Sequence, residues 1–274
     1  MPKSKHNRKG KNRGSDRRPV ARSGKNEGEV DYRYARPTSG EQKPITGSRQ
    51  CPYLDRIASL PDTFTKDECA KIIDDGVNNW IEKESQIQRD PDGKIEQNFV
   101  EDLDYRNTTL FIPQEPIEWL FSRVLGAIKA FNDSPQGYGF AITGLAEPPN
   151  LMRYHAPDID KHGKPGKYDW HIDVGPGVVP SMRKLSYSIL LNPGKYEGGD
   201  FVSKIGKGDV SFERGNLLPN SNVPAGPEGN FIPTERDLTG TMILFPSYLL
   251  HRIAQVSKGT RYSLVGWAHG NSFI

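Results

Sequence analysis

Apolar positions along this chain recur at two different periods. Behind Thr65-Lys66-Asp67-Glu68, which has the form of a capping box, Cys69, Ile72, Ile73, Gly76, Val77 and Trp80 return at helical spacing. A second stripe follows Pro116, where Ile117, Leu120, Phe121, Val124, Leu125 and Ile128 share one face and charged or small residues lie opposite. The stripes predict two helices that pack outside a sheet and carry no chemistry. From Arg106 to Ile112, and again from Gly139 onward, short apolar runs are broken by glycine, proline and asparagine, which is the pattern of short strands. The expected fold class is therefore mainly β with flanking helices, around a double-stranded β-helix (jelly-roll) core.

Two stretches follow neither period. Ala156 to Lys167 is turn-rich, and Lys204 to Gly240 is longer, with Asn216-Leu217-Leu218-Pro219 and Pro224-Ala225-Gly226-Pro227 inside it. Long loops in a compact domain are typically lids, binding loops or insertions, and the sequence leaves these alternatives open.

Charge divides the chain at about residue 49. Residues 1–49 hold 14 Lys or Arg against 5 Asp or Glu, a net +9, and the rest holds 23 against 29, a net −6. The basic stretch has few large apolar residues and cannot bury enough surface to offset chain entropy, so a disordered tail is expected. Its role is either a solvated arm or an arm that binds nucleic acid or another acidic surface. Residues 50–274 are long enough for one domain with a sizeable core. No apolar run approaches the roughly 18 residues that span a bilayer, and no apolar stretch of signal-peptide type follows the basic start. With only Cys51 and Cys69 and no paired-cysteine metal spacing, a cytoplasmic protein without membrane contact is expected.

The candidate chemistry sits in Trp170-His171-Ile172-Asp173. In a strand, residues two apart share a face, so His171 and Asp173 can chelate one metal while Ile172 points into packing on the other side. The run Thr241-Met242-Ile243-Leu244-Phe245-Pro246 delivers His251 from a second strand as third ligand. Two histidines and one carboxylate hold a non-haem Fe(II) on one face and leave positions open for a co-substrate and oxygen. An accidental His-x-Asp is expected about 0.4 times in a chain of this composition, so the tripeptide gains weight only with its third ligand. His155, His162 and His269 are read as structural histidines.

Ordered around these ligands are Leu151-Met152-Arg153-Tyr154, Arg183-Lys184-Leu185-Ser186, Tyr196-Glu197-Gly198-Gly199-Asp200-Phe201, Leu244-Phe245-Pro246-Ser247 and Gly259-Thr260-Arg261, running on to Trp267. With them, the chain from about Ile57 to His269 resembles a 2-oxoglutarate- and Fe(II)-dependent dioxygenase of the prolyl 4-hydroxylase catalytic-domain type, and in particular PKHD hydroxylases. The resemblance implies Fe(II) on His171, Asp173 and His251, 2-oxoglutarate as co-substrate, O2, and ascorbate as reductant. It implies that Arg261 anchors the far carboxylate of 2-oxoglutarate, where collagen-type relatives carry lysine. A guanidinium suits that task, being a planar fork of donors that stays charged when buried.

Tyr154 corresponds to a tyrosine whose hydroxyl faces the co-substrate in such families. Ser186, Ser263 and Trp267 are pocket-lining candidates, the last two at even offsets from Arg261 on its strand face. Where some relatives have a second tyrosine, this chain reads Ile189-Leu190-Leu191, which puts that contact in doubt. The implied substrate class is peptidyl proline. A small metabolite or nucleic acid as substrate, and a non-catalytic jelly-roll binding module, remain the alternatives.

Overall fold

Both helices form where the stripes place them, and the strands form by the alternation the sequence carries. The structure, a computed structural model, describes residues 54, 57–89, 98–205, 208–212 and 238–272. The tail of residues 1–49, Cys51 and most of the 204–240 segment lie outside the described residues. In chain order the elements are β1 (Ala58–Leu60), α1 (Lys66–Asn79), β2 (Ile81–Glu84), β3 (Ile87–Arg89), β4 (Asn98–Val100), β5 (Arg106–Asn107), β6 (Thr109–Ile112), α2 (Glu118–Asn132), β7 (Asn150–His155) and β8 (Lys167–His171). There follow α3 (Val178–Ser181), β9 (Arg183–Leu190), β10 (Tyr196–Gly198), β11 (Phe201–Ile205), β12 (Gly208–Phe212), β13 (Met242–Pro246), β14 (His251–Ile253) and β15 (Val256–His269).

Helix α1 starts at a complete capping box. The Thr65 hydroxyl accepts the Glu68 N–H, and the Glu68 carboxylate accepts the Thr65 N–H at 2.8 Å, so two donors left over at the helix start are satisfied. Cys69, Ile72 and Gly76 are buried, and a Cβ on Gly76 would stand 2.3 Å from Leu151 Cδ2, so the glycine lets α1 lie close on β7. Val77, placed on the same stripe by its spacing, is exposed instead. Helix α2 buries Leu120, Val124 and Ile128, and Arg123 ties it to Glu68 of α1 at 3.2 Å. The strands expected from Gly139 onward begin only at Asn150, because residues 139–149 pair with the sheet through a single bridge, Gly144 to His269.

Two antiparallel sheets form the jelly roll. The larger has the order β1-β13-β9-β15-β7-β6-β2, with β10 also on β15, and the smaller runs β12-β11-β14-β8-β5. Alternation sorts the larger sheet's side chains into two cores. Leu185, Tyr187 and Ile189 of β9, Met242 and Leu244 of β13, and Leu264 of β15 pack with Ile72, Leu120 and Val124 of the helices. Their neighbours of opposite parity, among them Met152, Tyr154, Ile243 and Phe245, pack inward with Phe201 and Ile253 of the smaller sheet. The chemistry lies on this inner side. No helix among the described residues is long and apolar enough to cross a membrane.

Candidate active site

His171 ends β8 and His251 opens β14, and the two are directly paired across the smaller sheet. His251 thus belongs to its own short strand rather than to the end of β13, from which a turn separates it. Asp173 lies just past β8, where its N–H bonds to the Ser247 carbonyl at 2.9 Å. One Asp173 oxygen is 3.8 Å from His171 Nε2 and the other 3.6 Å from His251 Nε2, and the three ligand atoms lie within 4.8 Å of one another. Such spacing suits three donors around one cation. Ile172 does not pack behind the strand as its alternation suggested: the strand has ended, and the side chain is 48 % exposed at the cavity wall.

Each histidine is locked from behind. His171 Nδ1 lies 2.7 Å from the Asp169 carbonyl and His251 Nδ1 lies 2.9 Å from the Leu249 carbonyl, contacts that put the proton on Nδ1 and leave the Nε2 lone pair for a metal. Burial, followed by the neighbouring His251, pushes the His171 pKa down to about 3, so this imidazole is neutral at ordinary pH. Burial works to raise the Asp173 pKa. The two imidazoles, the Ser186 hydroxyl and the Arg183 charge outweigh it, and the carboxyl is held below its usual range. Two imidazole nitrogens and one carboxylate are the donor set a divalent iron takes.

Behind the triad the smaller sheet carries a β-bulge. On β14, His251 and Ile253 are two apart, whereas their partners on β8, His171 and Tyr168, are three apart. The extra residue returns Tyr168 to the face of His171, where the rings stack with centroids 3.5 Å apart. Sequence reasoning missed Tyr168, because period-two alternation puts it on the opposite face.

Arg261 sits on β15, 1 % exposed, opposite Tyr154 of β7. Its Nη1 donates to Ser263 Oγ at 2.8 Å, and its guanidinium lies 5.2 Å from the centre of the Tyr154 ring. Nε and Nη2 are buried without a partner. Gly199, at φ +71°, makes room for this side chain, since a Cβ there would stand 2.8 Å from Arg261 Cδ. Unpaired N–H groups on a buried charge cost more than the hydrogen bonds they would otherwise make, and a carboxylate would satisfy them.

The triad opens on a cavity of about 210 Å³ that also reaches Tyr154, Met152, Val265 and Trp267. Arg261 borders a smaller one of about 20 Å³, and Phe201 lies on the walls of both. Of the residues proposed from sequence, the triad, Tyr154 and Trp267 share the larger cavity, and Arg261 adjoins it. Ser263 supports Arg261 from the side, and Ser186 donates to Ser247 Oγ at 2.9 Å beside Asp173; neither lines the cavity. Within the Ile189-Leu190-Leu191 run, Leu190 borders the Arg261 cavity and offers no hydroxyl.

A charged network absent from the sequence reading braces the rim. Arg183 binds Glu147 through Nε at 2.7 Å and Nη2 at 2.5 Å, donates from Nη1 to the Asp173 carbonyl at 3.0 Å, and lies 3.6 Å over the Trp267 ring. His269 completes it, with Nδ1 accepting the Ala146 N–H and Nε2 lying 3.0 Å from Glu147. The only sequence signal was Arg183 itself, one residue of a recurring motif; Glu147 is 36 positions away.

Residues 153–269 match the 2OG-Fe(II) oxygenase superfamily. Over 86 residues the chain is 31 % identical to a PKHD-type hydroxylase of Crocosphaera subtropica, covering 31 % of this chain and 28 % of that protein. Over 120 residues it is 27 % identical to a PKHD-type hydroxylase of Hyphomonas neptunium, covering 42 % and 43 %. The chain spans less than half the length of these curated relatives. A solved prolyl hydroxylase of Trichoplax adhaerens, in complex with a hypoxia inducible factor oxygen degradation domain peptide fragment, has a TM-score of 0.52 at 15 % identity, covering 78 % of this chain and 83 % of that one. That likeness is one of fold.

Proposed function

Because the chain belongs to the 2OG-Fe(II) oxygenase superfamily, we propose that it is a 2-oxoglutarate-dependent hydroxylase acting on a prolyl residue of a peptide or protein. The observation that carries the enzymatic reading is the convergence of His171, Asp173 and His251 on one cavity, with a buried, under-satisfied Arg261 on a second that shares its Phe201 wall. The prolyl reading draws on the PKHD-type relatives and on the peptide-bound prolyl hydroxylase of similar fold.

In this reading His171, Asp173 and His251 hold Fe(II), and Arg261 takes the far carboxylate of 2-oxoglutarate, with Tyr154 beside it. When bound, iron, 2-oxoglutarate and O2 supply the oxidising chemistry that hydroxylates a C–H bond, leaving succinate and carbon dioxide. The protein's own work is orientation. The backbone carbonyls of Asp169 and Leu249 keep both Nε2 atoms aimed at one point, and Arg183 fixes Asp173 through its carbonyl. Met152, Val265 and Phe245 give the cavity apolar walls that exclude water. Ascorbate, as the PKHD resemblance implies, is proposed as the reductant that restores spent iron.

Succinate release from 2-oxoglutarate, measured with full-length protein and a panel of proline-containing peptides, nucleic acids and small metabolites, tests this. A peptide should stimulate it. His171→Ala or His251→Ala should abolish Fe(II) binding and turnover while circular dichroism stays native. Full turnover in either variant would sink the metal assignment, and stimulation by another class alone would move the substrate.

A further inference from the structure

Two arginines reach the wall of the metal cavity, Arg106 and Arg183, and they are in opposite states. Arg183 is neutralised by its bidentate pair with Glu147. Arg106, which opens β5 opposite Tyr168, has one weak hydrogen bond, from Nη1 to the Gln86 carbonyl at 3.5 Å. Its Nε is buried with no partner, and no carboxylate among the described residues pairs with it. The guanidinium stands 4.3 Å over the Tyr168 ring, and that ring stacks on His171. A half-buried cation with no carboxylate partner among the described residues therefore lies one aromatic ring away from the metal-binding imidazole.

An unpaired guanidinium with a desolvated donor is stabilised by an anion, which answers both the charge and the N–H. The hydroxylase reading above already uses both ends of 2-oxoglutarate, one at the metal and one at Arg261. Arg106 is left over, on the wall of the cavity that holds the triad. We propose that the substrate carries a negatively charged group, a carboxylate or a phosphate, that docks on Arg106 next to the bond to be hydroxylated. This rests on the hydroxylase reading. In a peptide, the group is an acidic or phosphorylated residue adjoining the target. Tyr168 serves the same contact from below, since its ring face fixes the guanidinium plane and leaves the edge donors free for the anion.

The test uses full-length protein loaded with Fe(II) and 2-oxoglutarate under argon, so that binding is read without turnover. Calorimetric titrations compare three blocked peptides, Ala-Pro-Asp-Ala, Ala-Pro-phosphoserine-Ala and Ala-Pro-Asn-Ala, and the small pair N-acetyl-aspartate and N-acetyl-asparagine, in wild type and in Arg106→Gln. The anionic member of each set should bind at least about tenfold more tightly than the neutral one in wild type, and Arg106→Gln should remove the preference. The better of the aspartate and phosphoserine peptides identifies the source of the charge. Equal binding of charged and neutral probes, or a preference that survives Arg106→Gln, overturns the proposal. So does a loss of 2-oxoglutarate affinity in that variant, which would assign Arg106 to the co-substrate. If no peptide binds while N-acetyl-aspartate keeps its Arg106-dependent preference, the peptidyl reading fails and the anion site stands. If nothing binds with a charge preference, the anion site fails whatever the peptide panel shows in turnover.

Discussion

Arg183 and Arg261 stand on neighbouring strands of one sheet, β9 and β15, and both are withdrawn from water. Arg183 is complete: a carboxylate grips Nε and Nη2, a backbone carbonyl takes Nη1, and an indole covers one face. Arg261 has a single serine partner and two buried donors with none. A protein that buries a guanidinium for architecture satisfies it, as this one does at Arg183. One buried but left unfinished marks the place where something from outside is to complete it.

The sharpest way to break the contrast is Arg261→Ala. Removing one side of a buried charge pair commonly costs about 2–5 kcal/mol, so 2-oxoglutarate affinity should fall at least about tenfold with Fe(II) affinity nearly unchanged. The thermal midpoint of the unliganded protein should hold or rise, because an uncompensated charge is removed. An unchanged 2-oxoglutarate titration would place the anchor elsewhere.

Arg183→Met should show the reverse. It leaves Glu147 with His269 alone and frees the Asp173 carbonyl, so stability should drop by about 1.5–3 kcal/mol, the range for hydrogen bonds to charged groups. Denaturant titration of the unliganded protein reads this directly, and a melt as stable as wild type would count against the bracing role.

Glu147→Gln should be milder and should depend on pH. Burial works to raise the Glu147 pKa from 4.5, but the His269 contact and the hydrogen bonds and charge of Arg183 outweigh it and hold it lower. A carboxyl depressed in the fold stabilises above its unfolded pKa, and that contribution is lost as pH falls through the folded one. Glu147→Gln should therefore be less stable than wild type at neutral pH, and the gap should close on acidification below 4.5. A pH-independent gap would mean that the amide's shape, not the lost charge, is responsible.

Ser263→Ala should be the smallest effect, about 1 kcal/mol or less in 2-oxoglutarate binding, since it removes one neutral partner from a guanidinium the carboxylate still holds. A loss as large as that of Arg261→Ala would make the serine part of the anchor.

Sequence spacing revealed what is local. The capping box, both helical stripes and the two-residue offset of Ser263 from Arg261 all follow from one strand or helix considered alone. The triad was legible because its donor types have few other uses in that combination. Contacts that close over distance were not. Glu147 meets His269 across 122 positions, and no period in the chain announces that they share a bond with Arg183. Ile172 was misplaced for a related reason: alternation holds only while a strand lasts, and β8 ends at His171.

The bulge in β8 lets two residues an odd number apart serve one face of the candidate metal site. Three steps along β8, from Tyr168 to His171, match two along β14, from Ile253 to His251. Deleting a single residue between Tyr168 and His171 would restore a regular ladder in which both still share that face, but it would remove the local bend and added twist that a bulge gives its strand. The bulge therefore sets the angle at which the stacked ring and the imidazole meet, and not which face they share.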